Sequence, residues 1–229
     1  MEIQICVISP GLLTSSFGWQ AVETIRATGA TIIELSVAAF RSISFKENLQ
    51  GIGVVVQSQI QPLDTLDLAG TLGCVALDSV GNPGNLGAIV RTCDAIGCGG
   101  IVMLGGTTDP YHPAAIRASM GAVFWQRLVR AEFPEFLEWA RRRDYKILGT
   151  SPATDREYQD VNYPDPLLLL MGSERTGLSS EKISSCDQLV RIPMIGVGDS
   201  LNLAVATSIV LYEAFHRHRN IGRANYEPK

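Results

Sequence analysis

The sequence predicts an α/β fold: a mostly parallel sheet with helices on both faces, preceded by a small N-terminal α/β appendage. Two observations support this prediction. Short apolar segments alternate with helical segments along the chain, which is typical of parallel strands joined by helices. The segment LLLLMG at 167–172 is a continuous apolar run, as expected of a central strand buried on both faces.

The N-terminal appendage is predicted over residues 1–60. Its strands are expected at Ile3–Ser9, Thr31–Leu35 and Gly53–Ser58, and its helices at Gly18–Thr28 and Val37–Ile43. The segment IQPLDTLDLAG contains a proline among acidic and hydroxyl residues, which predicts a linker over residues 61–70. Acidic residues outnumber basic ones up to this point, so the appendage is acidic.

A second domain is predicted over residues 71–229, with a longer α/β series. Its strands are expected at LGCVALD, GGIVML, YKILGTS and LLLLMG, and its helices at Leu86–Ile96, Pro113–Met120, Glu132–Arg143 and Leu201–Arg217. Strands that alternate with helices predict the mostly parallel sheet.

The composition excludes several classes of protein. The chain has 19 basic and 23 acidic side chains, and this net charge of −4 argues against nonspecific coating of nucleic acid. We find no apolar run of the roughly 18 residues that a membrane helix needs, and no signal-peptide pattern. The five cysteines are scattered without a CxxC pair, which indicates reduced thiols in a cytoplasmic protein.

The first candidate site lies in DSVGNPGNLGAIVRTCDAIGCGG at 78–100, where a strand meets a helix. Its glycines do not match the GxGxxG dinucleotide fingerprint, and the chain contains no Gly-Lys pair for a phosphate loop. Asn85 is the expected N-cap, and Arg91 follows on the second turn of the helix. Since arginine is rarely buried unless paired, Arg91 is expected to meet either a structural carboxylate or an anionic ligand.

The second candidate site lies in LLLLMGSERTGLSSE at 167–181. Glu174 follows the central strand, so it is either a ligand-binding group or the partner of a neighbouring arginine, for which Arg91 is a candidate. The segment has no GxSxG nucleophile elbow, and the chain has only three histidines, two of them in a polar tail. A serine hydrolase and a metal site are therefore not expected.

The third candidate site is IPMIGVGDSLNL at 192–203. Gly196 and Gly198 would let the chain turn sharply. Asp199 or Ser200 is a natural N-cap for the apolar helix that follows. Two interpretations stay open: a capped core helix, or a loop whose polar groups converge on a ligand.

Together, NPGNLGAIVR, LLLLMGSERTGL and IPMIGVGDSLNLAVA resemble the three motifs of the SpoU (TrmH-type) RNA 2′-O-ribose methyltransferases of the SPOUT superfamily, in the same order. IRASMGAVF at 116–124 resembles the segment between the first two motifs. This resemblance covers about Leu72 to Arg217 and implies a C-terminal trefoil knot, an exception to the rule of unknotted folds. More weakly, Ile3–Ser58 resembles the later part of an L30e-like substrate-binding domain, which implies an abbreviated or truncated appendage.

The resemblance also implies S-adenosylmethionine as cofactor and a set of site residues. The implied cofactor-binding residues are Met171, Gly172, Ile192, Pro193, Met194 and Leu201. The implied catalytic residues are Asn85, Arg91, Glu174, Ser200 and Asn202. The family assigns Arg91 to activation of the 2′-hydroxyl, sometimes as general base. Because guanidinium stays protonated, our hypothesis is that Arg91 clamps a phosphate and orients the hydroxyl.

The implied partners are RNA and a second copy of the chain, with no metal and no membrane. RNA contacts are expected from Arg117, Arg127 and Arg130, although charge runs are more often solvated helix faces. The expected activity is S-adenosylmethionine-dependent methylation of a ribose 2′-hydroxyl, with 23S rRNA as the favoured substrate. The alternatives are a tRNA methyltransferase, an inactive RNA-binding member of the same fold, and a nucleotide-dependent metabolic enzyme.

Overall fold

The structure, a computed structural model, describes residues 2–44 and 48–220, except for the side chains of residues 219 and 220. The chain divides into two compact units between Gln59 and Ile60.

The first unit is a small three-stranded sheet with two helices. Its strands are β1 (Ile3–Ile8), β2 (Thr31–Glu34) and β3 (Ile52–Val56), and its helices are α1 (Ser16–Ala27) and α2 (Val37–Ser42). β1 lies between the other two strands, parallel to β2 and antiparallel to β3. The side chains of Ser15 and Ser36 cap the two helices by accepting a hydrogen bond from a backbone N–H.

The second unit is built on a seven-stranded sheet in which every pairing is parallel, in the order β10-β8-β9-β5-β6-β7-β4. The strands are β4 (Ile60–Gln61), β5 (Gly73–Asp78), β6 (Gly100–Leu104), β7 (Leu128–Ala131), β8 (Ile147–Thr150), β9 (Leu167–Met171) and β10 (Gln188–Val190). The helices are α3 (Pro83–Ala95), α4 (Pro113–Ser119), α5 (Phe133–Arg142), α6 (Ser180–Ser185) and α7 (Leu203–Asn220).

Side chains on both faces of this sheet are buried, which confirms the predicted central strands and helices on both sides. Successive residues of a strand point to opposite faces. In β5, Val75 and Leu77 pack in one cluster with residues of α3 and α7, whereas Cys74 and Ala76 pack in the other cluster with residues of α5. An apolar residue at every position is therefore needed, and this is why LLLLM has no polar alternation.

Residues 61–70, which the sequence predicts to be a linker, instead form the beginning of the second unit. Ile60 and Gln61 pair with Leu128 and Val129 at the edge of the large sheet. Leu66 and Leu68 are buried in the same cluster as Trp139 of α5. The linker prediction was wrong because it rested on the proline and the acidic residues of this segment, whereas Leu63, Leu66 and Leu68 between them are buried.

Short elements account for the other differences from the sequence prediction. β7 and β10 have four and three residues, and α6 has six. β7 and β10 also contain a polar residue, Arg130 and Gln188 respectively, so neither is a continuous apolar run. Within the described residues, we find no helix long and apolar enough to cross a membrane. The five cysteines are free thiols, and four of them are buried.

Asp187 fixes the β10 edge of the sheet to its neighbours. Both carboxylate oxygens lie 2.9 Å from Nη1 of Arg141 on α5, and one accepts a 2.8 Å hydrogen bond from the backbone N–H of Ile147 at the start of β8. Partial burial alone would raise the pKa of Asp187. The hydrogen bonds from Ile147 and Arg141 outweigh it and hold the pKa below its usual value.

We predict that Asp187→Asn lowers the free energy of unfolding by about 1–3 kcal/mol at neutral pH, the typical value of hydrogen bonds to a charged group. Because the folded-state pKa is depressed, this stabilisation is complete above the unfolded pKa, near 4, and is lost as the pH falls through the folded pKa. Urea unfolding should therefore give a constant difference between wild type and variant from pH 6 to 8, and a smaller one below about pH 4. Asp160→Asn, at an exposed position, is the control. An equal effect of both changes would contradict the role of Asp187 in holding the β10 edge.

Candidate active site

A cleft opens where the order of strands in the large sheet reverses. β5 and β9 are neighbours, and Leu77 pairs with Met171, so the carboxyl ends of both strands lie side by side. From β5 the chain proceeds through β6 and β7 toward one edge, whereas β8, β9 and β10 lie on the other side. Ligands of open α/β sheets bind at such a switch point.

The cleft has a volume of about 820 Å³ and is lined by the loops that follow these two strands. The lining residues are Ser79, Gly81, Asn82 and Pro83 after β5, and Ser173, Glu174, Arg175 and Thr176 after β9. A cavity of this size matches those that hold small ligands and cofactors.

The loop after β5 ends in a capped helix start. The side-chain oxygen of Asn82 accepts hydrogen bonds from the backbone N–H groups of Gly84 (2.8 Å) and Asn85 (3.4 Å), and Pro83 occupies the first helical turn. Asn82 is therefore the N-cap, and the prediction that Asn85 has this role was wrong. Asparagine followed by proline is a recognisable helix start, so the sequence contained the signal.

Glu174 bridges the two sides of the cleft. Its carboxylate accepts hydrogen bonds from the backbone N–H groups of Gly81 and Asn82, both at 3.2 Å, and from the side-chain Nδ2 of Asn85 at 2.9 Å. Desolvation would raise the pKa of Glu174. The hydrogen bonds from Asn85 and from backbone N–H groups outweigh this and lower it. Glu174 is therefore ionised at neutral pH.

Asn85 passes this contact on to a third segment of the chain. Its side chain is 8% exposed, and its Oδ1 accepts a 2.9 Å hydrogen bond from Nδ2 of Asn202. Oδ1 of Asn202 in turn accepts from the backbone N–H groups of Ala204 (2.9 Å) and Val205 (3.3 Å). A carboxylate can only accept and a backbone N–H can only donate, so both amide groups have one allowed orientation.

Asn202 also caps α7, because its side chain satisfies N–H groups of the first turn. The predicted caps Asp199 and Ser200 lie before it in an exposed loop. The glycines of this loop, Gly196 and Gly198, do not have positive φ, so their conformational freedom is not what shapes the turn.

A sequence profile described as the SpoU rRNA Methylase family matches residues 73–212. This span contains both cleft loops and all three members of the network formed by Glu174, Asn85 and Asn202. The chain belongs to the SpoU rRNA methylase family.

Two curated relatives illustrate the range of RNA substrates in this family. A 23S rRNA (uridine(2479)-2′-O)-methyltransferase of Streptomyces viridochromogenes is 36% identical over 180 residues, which is 76% of this chain and 62% of that protein. A tRNA (guanosine(18)-2′-O)-methyltransferase of Thermus thermophilus is 33% identical over 152 residues, which is 65% of this chain and 76% of that protein. This chain thus spans less than two thirds of the length of the Streptomyces relative.

Solved structures match nearly the whole chain. An rRNA methyltransferase from Sinorhizobium meliloti with bound AdoMet has a TM-score of 0.84 and 35% identity, and the match covers 95% of this chain and 80% of that one. The SpoU methyltransferase AviRb from Streptomyces viridochromogenes, in complex with AdoMet, has a TM-score of 0.82 and 30% identity, with coverage of 96% and 84%.

Of the five residues predicted as catalytic in this SpoU member, three form the network and two lie outside it. Arg91 is exposed, and the predicted contact of Arg91 with Glu174 is absent from the hydrogen bonds and ion pairs of the described residues. It follows Asn85 by six positions on α3, which is about 9 Å along the helix axis and about 120° around it. Ser200 is exposed in the loop before Asn202.

The residues predicted to bind the cofactor divide into a buried and an exposed group. Met171 and Gly172 are buried at the carboxyl end of β9, and Ile192 packs partly against the core. A Cβ at Gly172 would lie 2.1 Å from the backbone carbon of Gly177, so only glycine fits there. Pro193, Met194 and Leu201 are exposed.

The arginines predicted to bind RNA do not form one cluster. Arg127 lies at the amino end of β7, where its Nη1 donates to the carbonyl of Asp67 at 3.1 Å. Arg130 lies toward the carboxyl end of the same strand and donates to the carbonyl of Thr107 at 3.0 Å. Arg117 is exposed on α4. Only Arg130 therefore braces a loop on the cleft edge of the sheet.

Several cleft residues were not singled out from the sequence. Besides Asn82, these are Ser79 and Thr176 on the cleft wall, and Asp78 and Lys182 behind it. Arg175 stands in the second motif and supplies an exposed cation. Asp78 and Lys182 are 104 residues apart, and no local sequence pattern predicts the ion pair between them.

We predict that Asn85→Asp destabilises the protein in a pH-dependent way. The new carboxylate would lie at hydrogen-bond distance from Glu174, and two adjacent carboxylates cannot both ionise without cost. One folded-state pKa of the pair is then raised above its unfolded value, so the variant loses stability as the pH rises through that range. Urea unfolding should show a loss of roughly 1 kcal/mol at pH 7.5, moderated by solvent screening, and a smaller loss at pH 4.

The matched control for this change is Asn162→Asp at an exposed position. If Asn85→Asp and Asn162→Asp had the same pH dependence, Glu174 would not be the carboxylate that Asn85 contacts in solution.

Proposed function

We propose that this chain transfers a methyl group from S-adenosylmethionine to a ribose 2′-hydroxyl of RNA, with 23S rRNA as the substrate. One observation carries the proposal: Glu174, Asn85 and Asn202, one from each motif segment of a SpoU family member, meet at the carboxyl edge of β5 and β9. The named activities of the Streptomyces and Thermus relatives are both 2′-O-methylations of RNA.

The extent of the structural matches favours ribosomal RNA over tRNA. The Sinorhizobium rRNA methyltransferase structure covers 95% of this chain and so includes the N-terminal unit. The TrmH/SpoU tRNA-modifying enzyme of A. aeolicus covers 69% of it, with a TM-score of 0.60. We therefore assign recognition of a large RNA to the first unit, as an L30e-like domain, together with Arg117, Arg127 and Arg130.

The residues present fit S-adenosylmethionine. Glu174, which is ionised and lies two positions after Gly172, suits a ligand that carries sulfonium and ammonium charges. The residues that would hold the ligand are Met171, Gly172, Ile192, Pro193, Met194 and Leu201. Bound S-adenosylmethionine would supply an electrophilic methyl group.

The chain's own residues have the task of holding the acceptor oxygen in line. Positioning of this kind can lower a barrier by roughly 7–11 kcal/mol in ideal intramolecular cases. Glu174 is fixed by three donors and so holds the two cleft loops at one separation. Arg91 clamps the phosphate next to the target nucleotide and orients its 2′-hydroxyl.

We propose that the C-terminal segment is knotted and that the protein is a homodimer. In support of a knot, the loop at 156–163 contacts the chain on both sides of the 192–202 segment: the backbone of Arg191 forms hydrogen bonds with the backbone of Arg156 and Tyr158, and Arg217 donates to the carbonyl of Val161.

In support of a dimer, Ile195 and Val197 are fully exposed, and Arg91 lies outside the cleft of its own chain. A second copy can cover the first two and supply the third.

We propose a cytoplasmic location, in line with five free cysteines. We also propose that the reaction needs no metal. Among the residues that the structure describes, no group of three or more metal-binding side chains was found.

The direct test is transfer of labelled methyl from S-adenosylmethionine to separated large-subunit rRNA, small-subunit rRNA and tRNA. We expect label in large-subunit rRNA alone, and none with Arg91→Ala, which should keep cofactor affinity in calorimetry. Label in tRNA would support the alternative substrate. Cofactor binding without label in any RNA would indicate an inactive RNA-binding member. If Arg91→Ala lost cofactor binding as well as methyl transfer, this residue would not have a separate role in the transfer step.

We predict that Arg91 acts across the dimer. Arg91→Ala and Glu174→Ala variants should each be inactive, but mixing and exchanging their subunits should restore about a quarter of wild-type activity, because half of the dimers then contain one intact site of two. If both residues act within one chain, each subunit of the mixture lacks one of them and activity stays absent. Self-mixed samples of each variant are the control.

A further inference from the structure

Behind the wall of the cleft lies an ion pair that the proposed reaction does not use. Asp78 is the last residue of β5, and its Oδ2 lies 2.6 Å from Nζ of Lys182 on α6. The side chains of Asp78 and Lys182 are only 7% and 20% exposed. The same ammonium group lies 5.3 Å from the ring centre of Phe133. The pair thus joins the strand before the first cleft loop to the helix after the second.

The other oxygen of Asp78 holds the next residue, Ser79. Oγ of Ser79 lies 3.3 Å from Oδ1 of Asp78, and Ser79 itself is exposed on the cleft wall. A Cβ at Gly105 would lie 3.1 Å from this Oγ, so the loop after β6 also comes close to the hydroxyl. The hydroxyl thus has Asp78 as a hydrogen-bond partner and lies on the wall of the cleft.

Ser79 keeps its side chain at a backbone position that favours glycine. Its φ is +56°, a left-handed conformation that side chains other than those of Asn and Asp rarely adopt. Strain of this kind clusters at active sites and ligand-binding sites, although Met120 and Asp144 have a similar φ outside the cleft. Glycine would relieve the strain but would remove the hydroxyl.

The hydroxyl of Ser79 donates a hydrogen bond to Oδ1 of Asp78. A hydroxyl has one proton and two lone pairs, so while this contact is made Oγ has only acceptor sites left for a ligand. Ser79 is thus an acceptor and calls for a donor on the ligand. Within an RNA strand, the 2′-hydroxyl is the one ribose hydroxyl that is not esterified.

We infer that Ser79 binds the 2′-hydroxyl of the nucleotide in the cleft, and that Asp78 and Lys182 are positioning residues which fix the direction of the Ser79 hydroxyl. This inference rests on the proposed function. It adds a direct substrate contact and an ion pair to the three-motif network, on the opposite side of the cleft from Glu174.

The first experiment compares Ser79→Ala with Ser79→Gly. Both lack the hydroxyl, so kcat/KM for large-subunit rRNA should fall by roughly 5–10-fold in both, the effect of one hydrogen bond. The glycine variant, which has no Cβ, should melt about 2–4 °C above the alanine variant because it is free of the backbone strain. Affinity for S-adenosylmethionine, measured by calorimetry, should not change. Ser184→Ala, on α6, is the control.

The second experiment tests the direction of the contact. An unmethylated RNA fragment that contains the target nucleotide, located by the labelling test, is compared with the same fragment carrying 2′-deoxyribose at that position. Wild type should bind the ribose form about fivefold more tightly, and Ser79→Ala should bind both forms equally. Lys182→Met should lose most of the same preference, and Lys182→Arg should recover part of it, because the charge beside Asp78 is kept.

The outcomes separate this inference from the proposed function. A wild-type enzyme that labels no RNA contradicts the proposed function and, with it, this contact. An active wild type overturns the contact alone in any of three cases: if Ser79→Gly keeps full activity, if Ser79→Ala weakens cofactor binding in parallel, or if Ser79→Ala keeps the preference for ribose. Full retention of that preference in Lys182→Met would remove the positioning role from the ion pair.

Discussion

The structure of this site depends on the carboxylate of Glu174, which is held by donors from the opposite loop. Two of these donors are the backbone N–H groups of Gly81 and Asn82 just before α3, and the third is Asn85, 89 residues earlier in the chain than Glu174. Because Asn85 must then turn its oxygen outward, it accepts from Asn202, 117 residues further on. One ionised group thereby sets the positions of three distant segments. A neutral glutamine would place an N–H against donors that it cannot pair with.

The large sheet makes this contact possible because it places β5 and β9 side by side in the middle. Its strands were predictable from sequence wherever they are apolar at every position, as in GCVALD and LLLLM, because both faces of these strands are buried. β7 and β10 were not predicted, since each is short and contains a polar residue, Arg130 or Gln188, in place of a continuous apolar run. The segment at 61–70 was misjudged for a related reason. Its leucines matter only once α5 is present to cover them.

Most residues of the site could be predicted from the sequence, but the contacts between them could not. The motif resemblance named Asn85, Glu174 and Asn202, and the structure brings these three together. It also named Arg91 and Ser200, which stay outside, and spacing along a helix could have warned of this for Arg91, six positions beyond Asn85. The contact of Asp78 with Lys182 depends on where the fold places α6 relative to the end of β5. A single sequence does not predict a contact between residues 104 positions apart.

The second unit thus combines a fixed edge with an exposed apolar loop. Around Glu174, hydrogen bonds satisfy the polar groups and leave few alternatives. Between Pro193 and Leu201, by contrast, apolar side chains such as Ile195 and Val197 are fully exposed to solvent. Exposed apolar surface of this kind is stabilised when it is covered. A ligand or a second subunit that covered this loop would lie next to Asn202, which directly follows Leu201 and belongs to the network. Substitutions of Glu174 or Asn85 should change the positions of the two cleft loops, whereas substitutions of Ile195 or Val197 should change what binds to the exposed loop.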